Sequence, residues 1–220
     1  MTVRAALFDL DGTLVDSLGD LSDAVNHMLA GFGRPSLTVA AVRRLVGKGA
    51  HNLVRRALDT ESRDDIARGL ELFVAYNRDH IADKSLLYPG VPEALHQLAE
   101  CGIRMAVISN KNEALCRLVL EALGIAGRFE SICGGDTFPE MKPSPLPLLR
   151  VVERLGIAAH EAAMAGDSIN DVQAGQQAGI TTIGCTWGYG EVEELTGADH
   201  RAASFRDVSV ILLNGTLASC

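Results

Sequence analysis

The chain has 220 residues, with 28 Asp and Glu against 20 Lys and Arg, a formal net charge of −8. That balance argues against a general nucleic-acid binder, which needs a basic face to displace counterions. With 47% hydrophobic, 22% charged and only 5% aromatic residues, the composition is that of a globular protein with a mostly aliphatic core.

In chain order, the apolar run 3–8 stops at Asp9-Leu10-Asp11-Gly12-Thr13 and predicts a buried first strand. Four more such runs follow at 104–108, 129–133, 162–165 and 181–185. Each is preceded by a helix-like segment closed by Gly102, Gly124, Gly156 or Gly179, where a left-handed cap residue is wanted. Such alternation predicts an α/β protein with a doubly wound parallel sheet, covered on both faces.

The first connection is the exception, taking roughly 95 residues where a crossover needs a dozen or so. Within it, Leu18, Leu21, Val25, Met28, Leu29 and Phe32 recur at helical spacing. Further helices are expected at 38–46, after Gly49, and over 62–82, before Tyr88-Pro89-Gly90-Val91-Pro92 leads the chain back. The expected organisation is therefore a core of residues 1–14 and 84–220 with an all-helical insert of residues 15–83.

The opening apolar stretch is too short for a signal-peptide core and no run approaches the ~20 apolar residues of a membrane span, so a cytoplasmic protein without membrane contact is expected. Five widely spaced cysteines (Cys101, Cys116, Cys133, Cys185, Cys220) suit reduced thiols. The six scattered histidines offer no zinc-ligand spacing.

Chemistry concentrates at strand ends. Side chains alternate along a strand, so Asp9 and Asp11 point the same way while Leu10 faces the core, and Gly12 frees the chain to turn. A second acidic pair, Asp167 and Asp171, follows the fourth strand in Gly166-Asp167-Ser168-Ile169-Asn170-Asp171. Four carboxylates meeting in one crevice would repel one another unless a hard divalent cation sat among them, and oxygen-only ligands favour Mg²⁺. Ser109-Asn110 ends the second strand and can donate to an anion. Lys142 precedes a helix expected to be capped by Ser144 with Pro145 at its first position, a placement against the helix dipole that implies a negative partner.

These motifs, in this order, resemble the haloacid dehalogenase (HAD) superfamily of aspartate-nucleophile phosphatases, with its Rossmann-like core and helical cap. Within it the chain is similar to phosphoglycolate phosphatases, through residues 8–17, Val46-Gly47-Lys48-Gly49-Ala50, Leu87-Tyr88-Pro89-Gly90-Val91 and Ser109-Asn110-Lys111. The resemblance implies Asp9 as nucleophile and Asp11 as general acid and base. It implies Mg²⁺ held by Asp9, the Asp11 carbonyl and Asp167 with Asp171 in support, and phosphoryl oxygens held by Lys142, Thr13, Ser109 and Asn110. The implied substrate is a small anionic phosphoester, first of all 2-phosphoglycolate, with other small sugar phosphates, pyrophosphate or a phosphomutase reaction as alternatives.

The insert adds an observation of its own. Between Ala24 and Leu58 there are six basic residues (Arg34, Arg43, Arg44, Lys48, Arg55, Arg56) and no acidic one. Lys48, in the flexible Gly47-Lys48-Gly49 loop with Gly49 amides nearby, is the expected contact for a leaving-group carboxylate. The loop is not a P-loop, since Gly rather than Ser or Thr follows the lysine. A receiver-type phospho-aspartate signalling domain is the alternative from another class; Asp11, the long insert and Asp167 speak against it. Oligomeric state, monomer or homodimer, is not legible.

Overall fold

The computed structural model describes residues 3–214, so Cys220 lies outside the described residues. From the N-terminus come β1 (Ala5–Phe8), β2 (Val15–Asp16), α1 (Leu18–Gly31), α2 (Val39–Arg43), α3 (Gly49–Leu58) and α4 (Arg63–Asp79). They are followed by β3 (Leu86–Leu87), α5 (Val91–Glu100), β4 (Arg104–Ile108), α6 (Glu113–Ala122), β5 (Ser131–Cys133) and α7 (Leu146–Arg154). The chain ends with β6 (Ala162–Gly166), α8 (Ile169–Ala178), β7 (Thr181–Cys185), β8 (His200–Ala202) and α9 (Phe205–Leu213).

Six strands form one parallel sheet in the order β5-β4-β1-β6-β7-β8. The unbroken apolar run of β1 is explained by its central place, with all four residues buried between β4 and β6. Its side chains alternate between two cores. Ala6 and Phe8 join the α5, α6 and α9 side, while Ala5 and Leu7 join the α7 and α8 side. The chain leaves β1 toward β4 and β5 and later returns to β6 on its other side. The carboxyl ends of β1, β4 and β6 therefore flank a topological switch point, the place where open α/β sheets bind ligands.

Helices α1 to α4 enclose a third core of their own, built on Val25, Met28, Leu29, Val54, Leu58 and Phe73. The segments entering and leaving this helical cluster pair with each other, Val15 opposite Leu87 and Asp16 opposite Leu86. Beside this ribbon Asp20, 2% exposed, accepts the amides of Lys84 and Ser85 and the Ser85 hydroxyl.

The four predicted glycine stops all have positive φ, between 60° and 74°. Three expectations are corrected. A sixth strand, β8, follows the five read from sequence, its outward residues exposed at the sheet edge. The helices expected at 38–46 and 62–82 end earlier, at Arg43 and Asp79. Helix α7 starts at Leu146, with Pro145 rather than Ser144 in the cap position, although the Ser144 hydroxyl does accept the Leu146 amide at 3.2 Å. No described helix is long and apolar enough to cross a membrane. Cys116, Cys133 and Cys185 are buried thiols, and burial pushes the Cys116 and Cys185 thiols up, which keeps them protonated.

Candidate active site

The end of β1 presents Asp9 and Asp11 to the crevice on either side of fully buried Leu10. Gly12 turns the chain there with φ of +90°, and a Cβ at this position would run into the Asp167 carboxylate. Only glycine accommodates both the turn and the approach.

Lys142 is the hub. It is 3% exposed, and its Nζ donates to Asp9 Oδ1 at 2.9 Å, Asp171 Oδ1 at 2.6 Å and the Ile108 carbonyl at 2.5 Å, using all three of its donors. The negative partner implied by its position is thus found first within the protein, as two carboxylates. Burial alone would pull the ammonium down, but Asp171 and Asp9 outweigh it and hold its pKa above the ordinary value. Asp171 Oδ2 is occupied as well, accepting the Ser168 amide and hydroxyl.

Asp167 lies across the crevice, where its Oδ2 accepts the amides of Tyr189 at 2.6 Å and Gly190 at 3.3 Å. Thr13, expected to face a phosphoryl group, donates its hydroxyl to Asp167 Oδ1 at 3.3 Å. Asp9, Asp167 and Asp171 can each bring a carboxylate oxygen within 4.8 Å of the others. Asp11 stands apart from this trio, a departure from the expected four-carboxylate cluster. Its side chain accepts the Ser17 hydroxyl at 2.5 Å and the Lys111 ammonium at 3.2 Å, because a cation and a donor are nearer than the other acids.

Charge decides what could sit among these groups. Burial, with Asp171 adding repulsion, pushes Asp9 up to about 6 despite Lys142. Burial together with Asp9 and Asp171 pushes Asp167 up to about 7, despite the two amides. Four carboxylates face two ammonium groups, Lys111 and Lys142, leaving a formal excess of two negative charges. That excess and the all-oxygen donor set fit a divalent cation such as Mg²⁺.

Ser109 and Asn110 follow β4 at the crevice, both buried. The Ser109 hydroxyl accepts the Lys111 amide, while the Asn110 amide donates to the Lys142 carbonyl at 2.8 Å and to Gly47 of the helical cluster at 3.0 Å. Asn170 donates to the same Gly47 carbonyl, and Arg43 donates to the carbonyls of Gly188 and Tyr189, so the helices are tied to the sheet at two points. Lys48 is exposed and Gly49, with φ of +76°, opens α3.

Two spaces meet at Asp9 and Asp11. An outer groove of about 540 Å³ is lined by Arg43, Arg44, Lys48, Arg55, Arg56 and Asp167, among others, and an inner cavity of about 60 Å³ includes Ser109, Asn110, Lys111, Lys142 and Gly49. Ser17, Lys111, Asn170 and Tyr189 are site neighbours that the sequence did not mark as site residues. The one available signal was the glycine-flanked aromatic segment Trp187-Gly188-Tyr189-Gly190 after β7, since glycines against a strand end mark a close backbone approach.

The model of the Haloacid dehalogenase-like hydrolase family matches residues 6–185. The chain belongs to this family. This HAD hydrolase is 41% identical over 218 residues to a phosphoglycolate phosphatase of Chromobacterium violaceum, covering 97% of this chain and 98% of that protein. It is 43% identical to a phosphoglycolate phosphatase of Neisseria meningitidis, covering 90% and 86%. The crystal structure of a predicted phosphoglycolate phosphatase from Haemophilus somnus 129PT superposes with a TM-score of 0.91 at 31% identity, covering 96% and 98%. The Rossmann-like sheet flanked by helices is the HAD fold expected from the motifs.

Proposed function

We propose that this HAD phosphatase is a Mg²⁺-dependent phosphomonoesterase that works through an aspartyl-phosphate and acts on 2-phosphoglycolate, releasing glycolate and phosphate. The observation that carries the reading is the division of partners at the end of β1. Asp9 rests on Lys142, and Asp11, two residues on, rests on Ser17 and Lys111. Two adjacent carboxylates with different surroundings can take two roles.

Asp9 attacks phosphorus and displaces the alkoxide, forming an acyl phosphate; Asp11 gives its proton to the departing oxygen. Asp11 then takes a proton from water as that water attacks the phosphorus, releasing phosphate and restoring Asp9. Lys142 fixes the nucleophile's orientation; it, Thr13 and Asn110 would exchange bonds now made within the protein for the phosphoryl oxygens, beside the Ser109 hydroxyl. Asp9, Asp167 and the Asp11 carbonyl would hold Mg²⁺, with Asp171 in support, and the ion would offset the repulsion between an anionic nucleophile and an anionic ester. Residues 15–83 act as a cap that excludes water through the Gly47 and Arg43 contacts, with Lys48 and Gly49 at the substrate's entry.

The substrate comes from the relatives' activity together with the basic outer groove. A larger sugar phosphate is the second reading, favoured by that groove's volume. Phosphate release from a panel of phosphoesters, with Mg²⁺ or with chelator, tests both. Wild-type protein with Mg²⁺ is expected to prefer 2-phosphoglycolate, chelator to abolish turnover, and Asp9→Asn to lose at least about 10³-fold in kcat. Full activity in Asp9→Asn overturns the nucleophile, and equal rates across the panel remove the 2-phosphoglycolate assignment.

A further inference from the structure

Buried polar atoms are almost always hydrogen-bonded, so the exceptions indicate where a ligand is missing. Among the described residues two buried side-chain atoms have no partner, Asn77 Oδ1 and Asn110 Oδ1, and both residues line the inner cavity. Asn77 is in α4 and only 2% exposed, a polar residue on the same buried face as Ile66, Gly69 and Phe73. Leaving an amide oxygen unpaired in such a place costs about 1–3 kcal/mol, which a polar guest would recover.

Lys111 lines the same cavity with its side chain 8% exposed. Its ammonium reaches Asp11, the proposed proton donor to the leaving oxygen, and three donors on one nitrogen leave capacity beyond that carboxylate. The remaining walls include Leu21, Leu53, Phe73 and Leu115, which suit a short carbon chain. Asp9 and Asp171 line this cavity as well, whereas Asp167 lines only the outer groove, so the cavity runs from the nucleophile end of the carboxylate trio past Asp11 to Asn77. At about 60 Å³ the cavity has room for about two waters, so only a small group can enter it.

We propose that this cavity is the leaving-group subsite, and that Lys111 and Asn77 select a short alcohol bearing a carboxylate. The assignment rests on the phosphomonoesterase reading above and moves the carboxylate contact from exposed Lys48 to the buried pair. The Asn77 amide serves by turning about its terminal bond, which exchanges its oxygen for its NH₂ and presents a donor to the anion. Glycolate, with five non-hydrogen atoms, comes closest to that size and reaches it as a short chain entering from Asp11; a hexose far exceeds it.

Phosphonates separate binding from turnover, because their C–P bond survives this chemistry. Calorimetry in Mg²⁺ compares 3-phosphonopropionate, which carries the carboxylate, with propylphosphonate and 2-aminoethylphosphonate. The wild type is expected to bind 3-phosphonopropionate about 10- to 100-fold more tightly than propylphosphonate, the span of one charge-assisted hydrogen bond. Asn77→Asp is expected to lose that preference and to favour the aminoethyl compound. Lys111→Gln, which keeps a hydrogen bond to Asp11, is expected to lose the preference as well, and guards against a misfolded Asn77 variant.

Equal binding of all three by the wild type overturns the proposal, as does a uniform loss in both variants. Loss of the preference in Lys48→Ala with its retention in Asn77→Asp returns the carboxylate to the outer groove, and likewise overturns it. If the preference appears as expected but no phosphoester is hydrolysed, the phosphatase reading fails while the subsite stands.

Discussion

On the sheet side of the candidate active site the cations are committed, whereas on the helical side three of the five that line the outer groove stand free and only Arg43 and Arg55 are held. Lys142 spends its three donors on Asp9, Asp171 and a carbonyl, and Lys111 lies on Asp11. Facing them across the outer groove, the side chains of Arg44, Lys48 and Arg56 make no hydrogen bond or ion pair with another described residue. Sheet charges are buried and must be paired, because an isolated buried ion is costly; the helical charges sit in water and need no partner. One side therefore holds its charged groups in a fixed geometry, and the other offers a field that an incoming anion can use.

The largest expected effect comes from breaking the sheet side. Lys142→Met leaves Asp9 and Asp171 buried without their cation and should destabilise the protein by about 3–5 kcal/mol, read by chemical denaturation in chelator. Unchanged stability would mean that the carboxylates are held by something other than Lys142. A smaller effect is expected at the junction. Arg43→Ala removes two bonds to the Gly188 and Tyr189 carbonyls and should raise KM about fivefold with the fold intact, on the order of one partly exposed hydrogen bond. The smallest effect belongs to the free cations. Arg56→Ala should change stability by less than about 0.5 kcal/mol, yet lower kcat/KM for an anionic ester at low salt and not at high salt. A salt-independent loss would place Arg56 in direct contact with substrate.

Much of the sheet side was legible because its signals are local. Asp9, Asp11 and Gly12 are neighbours in sequence, and so are Asp167 and Asp171; strand alternation brings the first set to the crevice, and a strand end followed by the first turn of α8 brings the second. The orientation of Asp11 was not legible. It depends on Lys111, a hundred positions away along the chain, and on Ser17, whose amide in turn donates to the Tyr189 hydroxyl. Asn77 was hidden for another reason. It continues the apolar stripe of Ile66, Gly69 and Phe73 at helical spacing, but an asparagine near a helix end reads as a terminus residue and not as part of a cavity wall. Strand β8 escaped because His200-Arg201-Ala202 is short and polar, as an edge strand can be. The start of α7 moved by one residue where Ser144 and Pro145 both suit a helix beginning.

The ribbon made by Val15, Asp16, Leu86 and Leu87 has a consequence for how such molecules diversify. It brings the two ends of the helical cluster side by side, so to the sheet the whole cluster is a single turn between β1 and α5. Loop-closure cost grows only with the logarithm of the excursion, and the cluster carries its own apolar core. Helices in this position can therefore be lengthened, trimmed or exchanged without shifting any strand of the sheet out of register. The carboxylates and Lys142 belong to the sheet, and the helices that overhang them form a separable cassette.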